Sequence, residues 1–216
     1  MIKIKNITIR NFLSIGNVSQ AVNFDNQDLT LVLGENLDQG GDDSGSRNGT
    51  GKSTLINAIS YAFYGQALTN IKKSNLINKT NSKGMMVTLS FEKDNVDYRI
   101  ERGRSPNVMK FYINDVEQKA VDESLGDSRD TQKQINDLLN MSHDMFKHIV
   151  VMNTYTEPFL NLKAGEQRTF IEQMLGITKL SEKAEVLKGL LRDTKDKIRD
   201  EEYNIKSIRT AKVLSV

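Results

Sequence analysis

The sequence contains no cysteine. Disulfides and thiolate metal sites are therefore excluded, and the chain suits a reducing cytosol. Excess charge is small: 30 basic residues stand against 28 acidic ones, for a net charge of +2 over 216 residues. Bulk electrostatics does not announce a nucleic-acid partner, so any contact with a phosphate backbone has to come from a local basic patch. Long apolar runs are missing too. Ile149-Val150-Val151-Met152 falls far short of the roughly 20 residues that span a bilayer. Strand-like patterning begins at Met1-Ile2-Lys3-Ile4, which leaves no place for a leader peptide in front of it. These absences predict a soluble, cytoplasmic chain with no membrane partner, and its length fits one good-sized domain or one and a half small ones.

What is present begins with β-branched residues. Ile2, Ile4, Ile7 and Ile9 among Lys3, Lys5 and Thr8 predict a strand with a register shift near Asn6. Ala21–Phe24 reads as a short second strand. Leu29-Thr30-Leu31-Val32-Leu33, closed by Gly34, has the pattern of a buried central strand. From Ser53 the period changes, and Leu55, Ile56, Ala58, Ile59, Ala62 and Phe63 share one helical face, with Gly65 placed as its cap. Met86–Glu92, Val96–Arg102 and Met109–Asn114 alternate as antiparallel strands separated by turn residues. Helical patterns return from about Thr131, and a further helix is predicted over Glu166–Leu175. Phe146–Met152 is ambiguous between a helix end and a buried strand. After Gly176, residues Leu180, Ala184, Leu187, Leu191, Thr194, Ile198, Glu201, Ile205 and Ile208 follow alternating four- and three-residue steps, a heptad seam weakened by Thr194 and Glu201. No partner segment follows before Val216, so the seam implies another chain or further sequence. The domain expectation is 1–176 followed by the start of a coiled coil over 177–216.

Asn48-Gly49-Thr50-Gly51-Lys52-Ser53-Thr54 carries the chemistry. A phosphate-binding loop must wrap backbone N–H groups around oxygens bearing several negative charges. Glycines let the backbone come close, and the following helix presents unpaired N–H groups and the positive end of its dipole. Gly49 and Gly51 fit that need. Lys52 would reach the β- and γ-phosphates of ATP, the Ser53 hydroxyl would ligate Mg²⁺, and Thr54 would bond the α-phosphate. The strict pattern requires glycine at 46, where the chain has Ser46. Joining Gly34-Glu35 to Asn48-Gly49 restores it, with Asn36–Arg47 as an insert and Gly34 as the first glycine; an alternative join uses Asn36 and leaves Asn48 in the insert. The insert's Asp38, Asp42 and Asp43 read either as a cation site or as a solvated loop, the latter favoured because carboxylates repel phosphates. Arg47 is a candidate phosphate contact.

At these residues the chain resembles the N-terminal ATPase lobe of the SMC-like proteins of DNA double-strand-break repair, of the SbcC type and the ATPase subunit of phage recombination endonucleases. The resemblance rests on Ile7–Ser14, Leu31–Asn36, Asn48–Thr54, Ala58–Gly65, Phe159-Leu160 and Arg168–Gly176. It implies an α/β P-loop NTPase of the ABC-head type, with an antiparallel β portion and a C-terminal coiled-coil helix. It also implies ATP and Mg²⁺ as cofactors. The implied partners are a C-terminal ATPase lobe or second copy, a metallophosphoesterase-type nuclease subunit, and double-stranded DNA ends. The Walker B acid pair and the Ser-Gly-Gly signature are absent from these 216 residues, so no complete catalytic set is expected here and hydrolysis is expected only of a completed head. At the place of the family's glutamine loop stands Asn153-Thr154, whose Asn153 would offer an amide oxygen to Mg²⁺. A non-catalytic, DNA-clamping module of the RecF or condensin-like branches is the alternative.

Arg99, Arg102 and Arg104, with Lys72, Lys73 and Lys79 nearby, read first as solvated faces and second as DNA-backbone contacts. His143 and His148 are five apart, off a common helical face, and read as solvated or locally bonded rather than as metal ligands.

Overall fold

A computed structural model of the chain describes residues 2–24, 29–35, 49–118, 127–151 and 157–213. The isoleucine alternation at the start becomes β1 (Ile2–Arg10). Its pairing shifts register between Ile4 and Asn6, where the sequence pattern changes phase. β2 (Gln20–Asn23) lies on one side of it. On the other side lie β3 (Met85–Lys93), β4 (Val96–Arg104), β5 (Val108–Ile113) and the two-residue β6 (Val116–Glu117). Every pairing is antiparallel, and the sheet order is β2-β1-β3-β4-β5-β6. The hairpins close on left-handed pairs, Asp94-Asn95 at φ 53° and 62° and Asn114-Asp115 at 47° and 63°. Asn and Asp tolerate that conformation, and its twist matches the strands.

One face of the sheet is covered by α1 (Lys52–Tyr64). Leu55, Ala58, Ile59, Ala62 and Phe63 pack with Ile7, Val87, Leu89, Phe91 and Ile100 in a single core. Ile56, expected on that face, is instead 38% exposed, because 100° per residue carries it past the edge of the stripe. α2 (Asp127–Leu139) adds Ile135 and Leu139 to the core. A single turn, α3 (His143–Met145), runs into a π-helical turn at Phe146–Val151, the described part of the ambiguous Phe146–Met152 pattern. Phe63 meets Phe91 and Phe146 edge-on, at 5.2 and 6.0 Å between ring centroids. Such pairs contribute about 0.5–1.5 kcal/mol beyond their area burial.

The end of α1 is fastened from three directions. Gly65 caps it at φ 67°, its N–H donating to Tyr61 O at 2.8 Å. Arg102 of β4 donates through Nε to Ala62 O, and Gln132 of α2 donates to Phe63 O. Arg102 also donates to Gln132 Oε1 at 2.5 Å. Two of the carbonyls that a helix end leaves without intrahelical partners are met in this way.

One expectation fails. Leu29–Leu33 is not a buried strand: Leu29 is 87% exposed, Leu31 78% and Leu33 65%, and no regular structure spans them. A continuous apolar run becomes a central strand only when neighbours cover both faces. No described strand lies beside it, and the six-stranded sheet completes its ladders without it.

The chain divides into two compact units, Met1–Pro158 and Phe159–Val216. The second unit holds α4 (Ala164–Met174) and the 36-residue α5 (Thr178–Val213). Along α5 the seam residues Leu187, Leu191 and Ile198 are more than half exposed. No helix among the described residues is long and apolar enough to cross a membrane.

Candidate phosphate-binding site

α1 begins at Gly51, a left-handed N-cap at φ 94°, with no side-chain cap and no acidic residue in the first turn. Its terminal N–H groups and positive dipole end therefore carry no side-chain cap and no first-turn carboxylate. Gly49 is left-handed too, at φ 81°. Both positions thus hold a backbone conformation that glycine adopts without steric cost. Lys52 and Ser53 expose their side chains on the first turn, and Lys52 Nζ lies 3.5 Å from Thr50 Oγ1.

Gly34 comes up against this loop. A β-carbon built on it would fall inside the Thr50 side chain, so the two segments approach as only glycine permits. Asn48, Asn36, Asp38, Asp42, Asp43 and Arg47 lie outside the described residues, as does Asn153. Of the sequence-derived site residues, Gly34, Gly49, Thr50, Gly51, Lys52, Ser53 and Thr54 are thus brought together.

Thr54 is buried at 6% exposure, and its hydroxyl lies 2.7 Å from the Ser14 hydroxyl. The same Ser14 oxygen would stand 3.0 Å from a β-carbon on Gly51. Ser14 sits in the turn that ends β1, and the sequence pattern does not place it at the site. Its signal is weak: a serine three residues after an Asn at a strand end, forty positions from the loop.

The basic residues resolve differently from one another. Arg99 lies over the Tyr112 ring at 4.2 Å and pairs with Asp115 and Glu101. Arg102 is half-buried against the end of α1, and burial lowers its pKa to about 10. It forms the floor of a cleft of about 630 Å³ that Lys73, Arg104 and Lys110 also line, although two of its nitrogens are spent on Ala62 O and Gln132. His143 Nε2 lies 2.9 Å from Ser60 Oγ, and His148 has one ring nitrogen near Asp144 O and the other near Glu157 O.

A family model described as an AAA domain matches residues 6–212. The chain is 34% identical over 191 residues to "Exonuclease subunit 2" of Enterobacteria phage T4, covering 88% of this chain and 31% of that protein. It is 26% identical over 204 residues to the "DNA double-strand break repair Rad50 ATPase" of Methanococcus maripaludis, covering 92% of this chain and 18% of that one. The chain therefore spans about a third or less of the length of these relatives. In three dimensions it resembles a Pyrococcus furiosus Smc head domain with an extended coiled coil, solved bound to the C-terminal domain of ScpA. The TM-score is 0.58 at 18% identity, covering 96% of this chain and 50% of that one, a likeness of fold.

Proposed function

The chain belongs to the AAA-domain family, and on that premise we propose that it is the ATP-binding lobe of an SMC-like ATPase acting in DNA repair or recombination. The observation that carries the reading is the start of α1. A left-handed Gly51 opens a helix with no side-chain cap and no first-turn acid, and Lys52 and Ser53 project from it beside Gly34 and Gly49. Such a terminus attracts an anion through N–H groups and dipole together. Lys52 would neutralise the β- and γ-phosphates, and Ser53 would ligate Mg²⁺. Gly34, Asn48, Gly49, Thr50, Gly51 and Thr54 would complete the cradle, and Asn153 would be a further Mg²⁺ ligand. Bound Mg²⁺ supplies charge neutralisation between the phosphates.

Hydrolysis is assigned to a completed head. The residues that orient water and clamp the γ-phosphate would come from a C-terminal lobe or a second copy, closing over the nucleotide. The exposed Leu29–Leu33 run is where such a lobe would add the missing strand neighbours. Closure would act on double-stranded DNA ends with a metallophosphoesterase-type nuclease subunit. The absence of a Walker B acid pair from these 216 residues favours, for this chain by itself, the reading of a non-catalytic clamp that uses ATP to dimerise.

Fluorescent mant-ATP titration tests the core of the proposal. Saturable, Mg²⁺-dependent binding that Lys52→Ala abolishes is expected. Turnover is expected only when the C-terminal lobe is added; turnover by residues 1–216 alone would falsify the assignment of hydrolysis to a completed head.

A further inference from the structure

The turn that ends β1 is held by an unusual amount of buried amide chemistry. Asn11 is 2% exposed and Asn78 9%. Asn11 adopts φ 50° and Leu13 φ 46°. A left-handed leucine costs about 1–3 kcal/mol and persists only where its surroundings over-determine it. Here both of its backbone groups are pinned: Leu13 N–H donates to Leu76 O at 2.8 Å, and Asn78 Nδ2 donates to Leu13 O at 3.0 Å. Asn78 N–H donates to Asn11 O at 2.9 Å. The Asn78 side-chain oxygen accepts from the N–H groups of Thr80 and Asn81. Asn81 Nδ2 donates to Asn11 Oδ1 at 2.8 Å, and Asn11 Nδ2 donates to Lys83 O at 2.9 Å.

The product of this strain is the position of the next residue. Ser14 is carried onto the buried Thr54 hydroxyl, against the left-handed Gly51. Resting on the nucleotide-binding reading above, we propose that Ser14 sets the donor direction of Thr54, and that Asn11, Asn78 and Asn81 are positioning residues that hold Ser14 there. Phosphate oxygens only accept hydrogen bonds, and the Thr54 hydroxyl has one proton. When that proton goes to a phosphate, the 2.7 Å contact requires Ser14 to be its donor. Ser14 thereby fixes the Thr54 rotor in the direction that serves the anion. Residues 76–84 become part of the nucleotide site without touching it.

A double-mutant cycle on mant-ATP affinity of the 216-residue chain tests this. Ser14→Ala should weaken binding roughly three- to tenfold, the range of one ordinary hydrogen bond, and Ser14→Thr should restore it. Asn78→Asp keeps the acceptor of the 78–82 turn and deletes the donor to Leu13 O, and should weaken binding to a similar degree. In the Ser14→Ala background, Asn78→Asp should add less than about twofold, because the two act through one contact. Asn81→Ala repeats the measurement should Asn78→Asp not fold. Unchanged affinity in Ser14→Ala, or full multiplication of the two effects, overturns the proposal while wild-type binding stands. Absence of any Lys52-dependent binding by the wild type overturns the nucleotide reading and this proposal together.

Discussion

Glycine at two positions and histidine at one set the sharpest residue-scale expectations. A β-carbon at Gly65 would stand 2.5 Å from Arg102 Nη1 in a backbone at φ 67°, and the guanidinium is anchored at two of its nitrogens. Gly65→Ala should therefore destabilise the fold by about 1–3 kcal/mol, read as a lower urea midpoint with unchanged slope. Gly51→Ala puts a β-carbon 3.0 Å from the Ser14 hydroxyl in a backbone at φ 94°, strained for any L side chain, and it should remove mant-ATP binding. His143 is half-buried; burial and Lys147 hold its pKa below the ordinary value, opposed by Asp144. Ser60 donates to Gln66 O at 2.8 Å, so it accepts from His143 Nε2–H. A depressed pKa means that the unfolded chain binds the proton more readily. The stabilising contribution is thus present above about pH 6.5 and is lost as pH falls through the lower folded value. Thermal melts from pH 7.5 to 5 should show this loss, and His143→Gln should flatten that part of the curve. Much of the loop is legible in the sequence because glycine, lysine and hydroxyl side chains announce their chemistry there. Ser14 is not, since its meaning comes from a turn whose hydrogen bonds span 60 residues and more.

Among the elements, α1 joins site to core, with its first turn facing the candidate anion site and its last turn locked to β4 and α2. Arg102→Met would keep the stem's packing while stripping Ala62 O and Gln132 of their partner. The expected loss is about 2–4 kcal/mol. Combination with Gln132→Ala should be less than additive, because the two residues share one network; equilibrium unfolding of the single and double variants measures the shortfall. The strands are readable because one face is wet and the other dry, so alternation survives in β1 and β3. Leu29–Leu33 defeats the same logic for a complementary reason. Hydrophobic content reports that a segment needs cover, but only the surroundings decide whether cover is there.

At the scale of the whole molecule, the 29–33 run and the α5 seam are apolar features that the described residues leave outside the core. Leu31→Lys with Leu33→Lys should shift the melting temperature of the 216-residue chain by no more than a degree or two, since exposed positions contribute little. The same pair should abolish co-purification with a C-terminal lobe supplied in trans, and a retained complex would remove this run from the interface. The long C-terminal helix is visible in the sequence because its period persists over many turns. The grouping of residues 159–176 with α5 is not, because it arises from packing between segments rather than from a period within one.

The left-handed Gly176, φ 66°, stands at the root of α5 and gives that helix a mechanical meaning. Thirty-six residues at the helical rise make a rod of about 54 Å. Pivoted at one end by roughly 10°, such a rod sweeps its far tip through about 9 Å. A change of backbone torsion too small to disturb a core thus becomes, at the tip, a displacement comparable to the spacing between packed helices. A helix whose described residues are mostly exposed is thus well shaped to carry motion to a distance.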